Sequence, residues 1–356
     1  MYGFKNKKSA ILLGALFMGS GVSALELNVY GVGHVSADNV NDGNDASMYA
    51  TSSSSRLGFR GKNNIEPGWD VLFQFETGLD PTSQGINDGN GSSAANTGQI
   101  FTKGRPSFVG LQGDFGKALI GHMPAADQWI NDYNLFADQV GDAGNLWAGM
   151  GLPGRADNVF YYESPAMNGV NAALTFMPAE GTTDADSLLL KGNFSKGPLT
   201  VGAAYMNIGD GNFAGGEAHT ALAVTGSYKM GTFTFGGGFQ TETDAGGVAG
   251  RDATNISMGG SMQISKKGTV KAHYVSLDSD ATNSNASLIA VGYDHACNDD
   301  TTMYVAFALA SNDDNSSMVA NGKGHGDSVA GTQVAGENST ALSFGLVSKF
   351  DVSVMK

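Results

Sequence analysis

Cys297 is the only cysteine in 356 residues, so the chain cannot close an intramolecular disulfide. Past its first two dozen residues it has no stretch near the ~18 consecutive apolar residues of a spanning helix. If it crosses a membrane, it does so as a closed barrel, which also satisfies its own backbone in lipid. Basic charge is scarce too: 20 Lys and Arg stand against 34 Asp and Glu. That balance excludes nucleic acid as a partner, because phosphate binding needs a basic patch. Charged residues are only 15% of the chain, too few for a disordered acidic tail.

Signs of catalysis are missing as well. No G-x-S-x-G elbow occurs, and His34, His122, His219, His273, His295 and His325 lack metal-ligand spacing. GMGLPG at 149–154 fits a dinucleotide fingerprint on paper, but it contains proline and opens no helix of a strand–helix–strand unit. DNVNDGND resembles a calcium loop, yet Val40 occupies a ligand position and no glutamate closes it. The sequence therefore reads as non-enzymatic, with no cofactor and no metal site.

What it does contain begins with Lys5, Lys7 and Lys8, the apolar run AILLGALFM, and Val22 and Ala24 at peptidase-reading positions. This is the pattern of a secretory signal peptide over 1–24. With those lysines removed, the rest of the chain is more acidic still.

Alternation with period two then recurs to the end. Leu27, Val29 and Val35 share a face, opposite Asn28, Tyr30 and His34. In WDVLFQFETGL the apolar face is Trp69, Val71, Phe73 and Phe75, and the other carries Asp70, Gln74 and Glu76. Leu342, Phe344, Leu346 and Phe350 repeat the pattern. In SSRLGFRG, Leu57 and Phe59 oppose Arg56 and Arg60. Segments of about ten residues with one apolar face are the signature of barrel strands in lipid. The 52 glycines, with Asn, Asp and Ser clusters, mark turns between many short strands. Long polar stretches (37–47, 83–99 and 311–339) alternate with short connections such as KNNIEPGW and QGDFG. That asymmetry fits long loops at one rim and short turns at the other. Without its leader the chain allows roughly 21 residues per strand and connection for a barrel of about 16 strands.

One segment breaks the strand pattern. Between Pro124 and Val140, Trp129, Tyr133, Phe136 and Val140 recur at helical spacing, with Asp127, Asn131, Asn134 and Asp138 opposite. The spacing predicts an amphipathic helix inside a long loop, with one face packed and one wet.

SSRLGFRG, RPSFVGLQGDFGKALIGH and GRADNVFYYESPAMNGV, in that order, resemble the general diffusion porins of Gram-negative outer membranes, especially the neisserial and β-proteobacterial type. VGYDHACNDDTTMYVAFA and SFGLVSKF extend the resemblance over most of residues 25–356. It implies an all-β fold: a transmembrane antiparallel β-barrel of 16 strands, usually a homotrimer, with its third loop, about 122–155, folded into the lumen as a constriction. The implied partners are outer-membrane lipid and lipopolysaccharide, with small hydrophilic solutes and ions passing through.

The resemblance carries a basic constriction wall onto Arg56, Arg105 and Arg155, and Arg60 shares the face of Arg56. Guanidinium suits the role because it stays charged even beside like charges. The facing loop has no Lys or Arg and supplies Asp127, Asp132, Asp138 and Asp142. The resemblance favours Asp127 and Asp132, whereas the helical spacing favours Asp127 and Asp138. Three departures stand out: His122 where an arginine is usual, Val32 where some relatives carry a base, and six residues, DVSVMK, beyond Phe350. A strongly acidic chain with a base-free constriction loop leads to an expected lean towards cations. The alternative is a β-rich adhesin or anchoring barrel that uses its loops to bind a surface partner.

Overall fold

The computed structural model describes residues 25–82, 104–181, 183–326 and 328–355. Residues 1–24, expected to be a signal peptide, and the 83–99 stretch lie outside the described residues. The first half of the chain forms β1 (Leu25–Asn41), β2 (Ala46–Ser52), β3 (Arg56–Glu66), β4 (Trp69–Gly78), β5 (Ser107–Gly113), β6 (Gly116–Pro124), β7 (Arg155–Glu163), β8 (Val170–Met177) and β9 (Ser187–Lys196). The second half forms β10 (Leu199–Ile208), β11 (His219–Met230), β12 (Phe233–Thr243), β13 (Ala253–Gln263), β14 (Gly268–Ser279), β15 (Ala286–Ala296), β16 (Thr301–Asn312) and β17 (Ser339–Met355).

Each strand pairs antiparallel with its chain neighbour, and β1 closes on β17 from Asn41 opposite Thr340 to Leu27 opposite Met355. β2 and β3 are two segments of one stave, since both pair with β1, so the wall is a closed 16-stranded barrel. The break falls at Ser53–Ser55, where Ser54 has φ of 53° and the Ser53 amide donates to the His34 carbonyl at 3.0 Å.

The period-two reading holds along this wall. Trp69, Phe75, Leu342, Phe344, Leu346 and Phe350 are all exposed on the outer surface, where lipid replaces water as their solvent. The short turns are tight, with Pro67–Gly68 and Asp114–Phe115 joining strands at one rim. Past Phe350, residues 351–355 continue β17 and pair with the start of β1.

The apolar core lies inside the barrel, under the loop between β6 and β7. Trp129, Phe136, Val140, Leu146 and Trp147 from that loop cluster with Met206, Leu277, Leu288, Ala290 and Ala308 from the wall. All ten are almost fully buried. The faces predicted from helical spacing are thus the packed ones, but the continuous helix is not formed. Only α1 (Asp127–Ile130) and α2 (Gly144–Trp147) are helical. Asn134 Oδ1 accepts from the amides of Phe136 and Ala143, and Asp142 accepts from those of Asp138 and Gly144. Short polar side chains that capture backbone amides compete with helical hydrogen bonds.

Candidate functional site

The inward loop leaves the wall through a narrow neck, where the Ala125 amide donates to Gly154 and that of Ala126 to Pro153, at 3.0 and 3.1 Å. It crosses the lumen and is fastened to the far wall. Trp129 Nε1 donates to Gln240 Oε1 at 2.8 Å, and Gln240 Nε2 donates to the Trp147 carbonyl at 2.9 Å. Asp132 is held by Lys191 Nζ at 2.5 Å and by the Thr225 hydroxyl at 2.9 Å. Lys271 Nζ donates to the Leu135 carbonyl and to Gln139 Oε1, both at 2.9 Å, while lying over the Phe136 ring. His273 Nε2 donates to the Gly141 carbonyl at 2.6 Å. With the loop pressed against β9–β15, the open passage is left beside β1–β7 and β16–β17.

That passage holds a chamber of about 610 Å³ bordered by Arg56, Glu76, Arg105, Arg155, Asp138, Asp142 and Lys323. A second, of about 320 Å³, lies towards the short-turn rim, beside Val32, His34, Asp299, Asp300 and Lys349. Arg56, Ala137 and Asp138 border both chambers, so the two meet between Arg56 on the wall and Asp138 on the loop.

Glu76 organises the basic side. Its carboxylate lies 3.7 Å from Arg105 Nη1 and 3.8 Å from Arg56 Nε, and it accepts the Tyr30 hydroxyl at 2.8 Å. Arg56 Nη1 also donates to the Ser54 carbonyl at 2.9 Å. Burial, then repulsion from Arg155 and Arg56, pushes the Arg105 guanidinium down to about 10, which leaves it charged at neutral pH. On the loop side, Asp142 is buried, and burial followed by the charge of Asp138 pushes its carboxyl up to about 7. Hydrogen bonds from Asn134 Nδ2 and the Gly144 amide, both 2.7 Å, offset this only in part.

Among the residues expected from sequence, Arg56, Arg105, Arg155, Asp138 and Asp142 come together here. Two do not. Arg60 sits further towards the short-turn rim, paired with Asp351 and over the Tyr30 ring. Asp132 is consumed by Lys191 on the far wall. Asp127 begins α1, and its side chain lies outside the described residues. His122 also lies away from the chamber, with Nδ1 2.8 Å from Asp157. Glu76 and Lys323 were not singled out by sequence, although alternation already put Glu76 on the watery face of its strand.

The chain matches the Gram-negative porin family model over residues 10–315. It is 29% identical to outer membrane porin protein 32 of Delftia acidovorans over 363 residues, 96% of this chain and 99% of that protein. The barrel superposes on the anion-selective porin from Comamonas acidovorans with a TM-score of 0.74 at 24% identity, covering 92% of this chain and all of that one. The trimer form of OmpT from Vibrio cholerae gives 0.66 at 15% identity, over 92% of this chain and 100% of that chain.

Proposed function

Because the chain belongs to the Gram-negative porin family, a group of non-enzymatic outer-membrane channels, we propose that it is a homotrimeric diffusion pore favouring small hydrophilic anions. The observation that carries the anion preference is the meeting of Arg56, Arg105, Arg155 and Lys323 around one chamber, against Glu76, Asp138 and a buried Asp142 whose carboxyl is pushed up to about 7. Glu76 stands behind two arginines and offsets part of their charge. Asp138 alone among the expected loop acids borders both chambers with its charge facing the arginines.

The lean towards cations expected from composition gains no support from this lining. Fixed charges act over only ~8 Å at physiological salt, so acids on the outer loops do not set the field at the constriction. Asp45, Asp280, Asp313 and Asp314 are exposed loop residues of that kind. Rings of arginine and lysine select for anions and phosphates. The similar porin from Comamonas acidovorans is described as anion-selective, which agrees with this reading.

Trimeric assembly rests on the likeness to solved porins, one of them described as a trimer form. Lipid and lipopolysaccharide around the exposed aromatic belt, and removal of residues 1–24 as a signal peptide, complete the proposal.

Proteoliposome swelling tests it. Vesicles holding the protein should swell faster in a small organic anion than in a cation of equal size, and the unboiled protein should migrate as a trimer. Equal or reversed rates would refute the anion preference. No swelling with correctly folded protein would favour a barrel that serves as an anchor.

A further inference from the structure

Within the connection between β16 and β17, residues 320–326 reach into the lumen. The Gly141 amide of the constriction loop donates to its Ala320 carbonyl at 2.6 Å, and its Lys323 amide donates to Asn145 Oδ1. The Ser54 hydroxyl lies 3.1 Å from its Gly324 carbonyl, and His325 Nε2 lies 3.3 Å from Asp38 of β1, with both side chains fully buried. Two glycines make the fit possible. Gly324 has φ of 67°, and a Cβ there would stand 2.4 Å from Asp138 Oδ1. A Cβ at Gly326 would stand 2.1 Å from the Ser52 carbonyl oxygen. The segment NGKGHG, 321–326, is therefore seated between the constriction loop and the break in the β2–β3 stave.

We propose that this last loop is a second constriction element, a strap whose seated NGKGHG segment narrows the passage and carries Lys323 to it as a specificity-determining charge. The proposal rests on the channel reading above. Lys323, Gly324, His325 and Gly326 all border the larger chamber, together with the three arginines. The Lys323 stem lies over Gly144, where an added Cβ would meet its Cγ at 2.7 Å. Polar residues that would otherwise be unremarkable loop solvent contacts thus become part of the pore.

Three variants of the full chain, recorded in planar bilayers under a KCl gradient, test the strap. Lys323→Gln keeps the strap seated and removes its charge, so the reversal potential should shift towards cations with conductance nearly unchanged. Gly326→Val cannot seat against Ser52, so conductance should rise and the potential should shift the same way. Lys323→Cys in a Cys297→Ala background should lose current when an anionic thiol reagent is added, which gives a readout even if Gly326→Val fails to fold. An unshifted potential in Lys323→Gln, or complete labelling of Lys323→Cys without loss of current, would overturn the strap. Silence of the unmutated protein would instead count against the channel reading itself.

Discussion

Ser54 donates its hydroxyl hydrogen bond to Asp138 at 2.8 Å and so ties the barrel wall to the constriction loop where the two chambers meet. Both residues hold positive φ, 53° and 61°, a conformation that costs a non-glycine residue of order 1 kcal/mol or more. The wall is broken at Ser54, and the loop is kinked at Asp138, so that a carboxylate can face Arg56.

Ser54→Ala should leave barrel assembly intact, because the residue lies between strands. Hydrogen bonds to charged groups contribute about 1.5–3 kcal/mol, so losing this one should free Asp138 to move. The expected outcome is increased open-channel current noise in a barrel that still assembles. Wild-type noise would show that the contact does not restrain the loop.

Glu76→Gln keeps the shape but removes the negative charge shared by Arg56 and Arg105. With less compensation for the two guanidinium groups, the zero-current potential should move further towards anions. Arg105→Ala should move it the other way and raise conductance. A shift of the same sign in both variants would place the charge control elsewhere.

Asp142 should give the channel a pH dependence near neutrality. Its carboxyl is raised from 3.8 to about 7, so folding takes up a proton between those values. Stability contributed by the protonated form is present at low pH and falls as pH rises towards 7, then levels off. As pH drops through 7 the chamber loses a negative charge, and anion preference should grow. Asp142→Asn should flatten both responses. A titration between pH 5 and pH 8 that is identical in the two proteins would contradict the assignment.

Gln240→Leu should loosen the constriction loop. The change strands the buried Trp129 indole N–H and the Trp147 carbonyl, each at about 1–3 kcal/mol. The temperature at which the folded form converts to the heat-denatured band should fall. An unchanged conversion temperature would mean that apolar packing alone holds the loop.

The wall of this protein was legible in its sequence because the side-chain period is physical: Trp69 and Phe75 face out for the same reason that Glu76 faces in. The arginine positions followed from resemblance, and Arg56, Arg105 and Arg155 do converge. The interior was harder to read. Trp129, Phe136 and Val140 pack as their spacing suggests, but Asn134 and Asp142 capture the amides that a helix would have used. NGKGHG looks like any solvated loop, since glycine and asparagine serve a tight lumenal fit as well as an exposed turn. Composition and chamber lining point opposite ways on selectivity, because composition averages acids over the whole surface while ions respond to those few within a Debye length. Arg60 and Asp132 share the right faces, yet Asp351 and Lys191 neutralise them away from the passage.

The most direct measurement is the sign of the zero-current potential of the unmutated protein in a planar bilayer under a KCl gradient at neutral pH. A potential on the anion side, with discrete ohmic steps, is the result expected if Arg56, Arg105, Arg155 and Lys323 govern the constriction. A potential on the cation side would contradict it and return control to the acids of the loop.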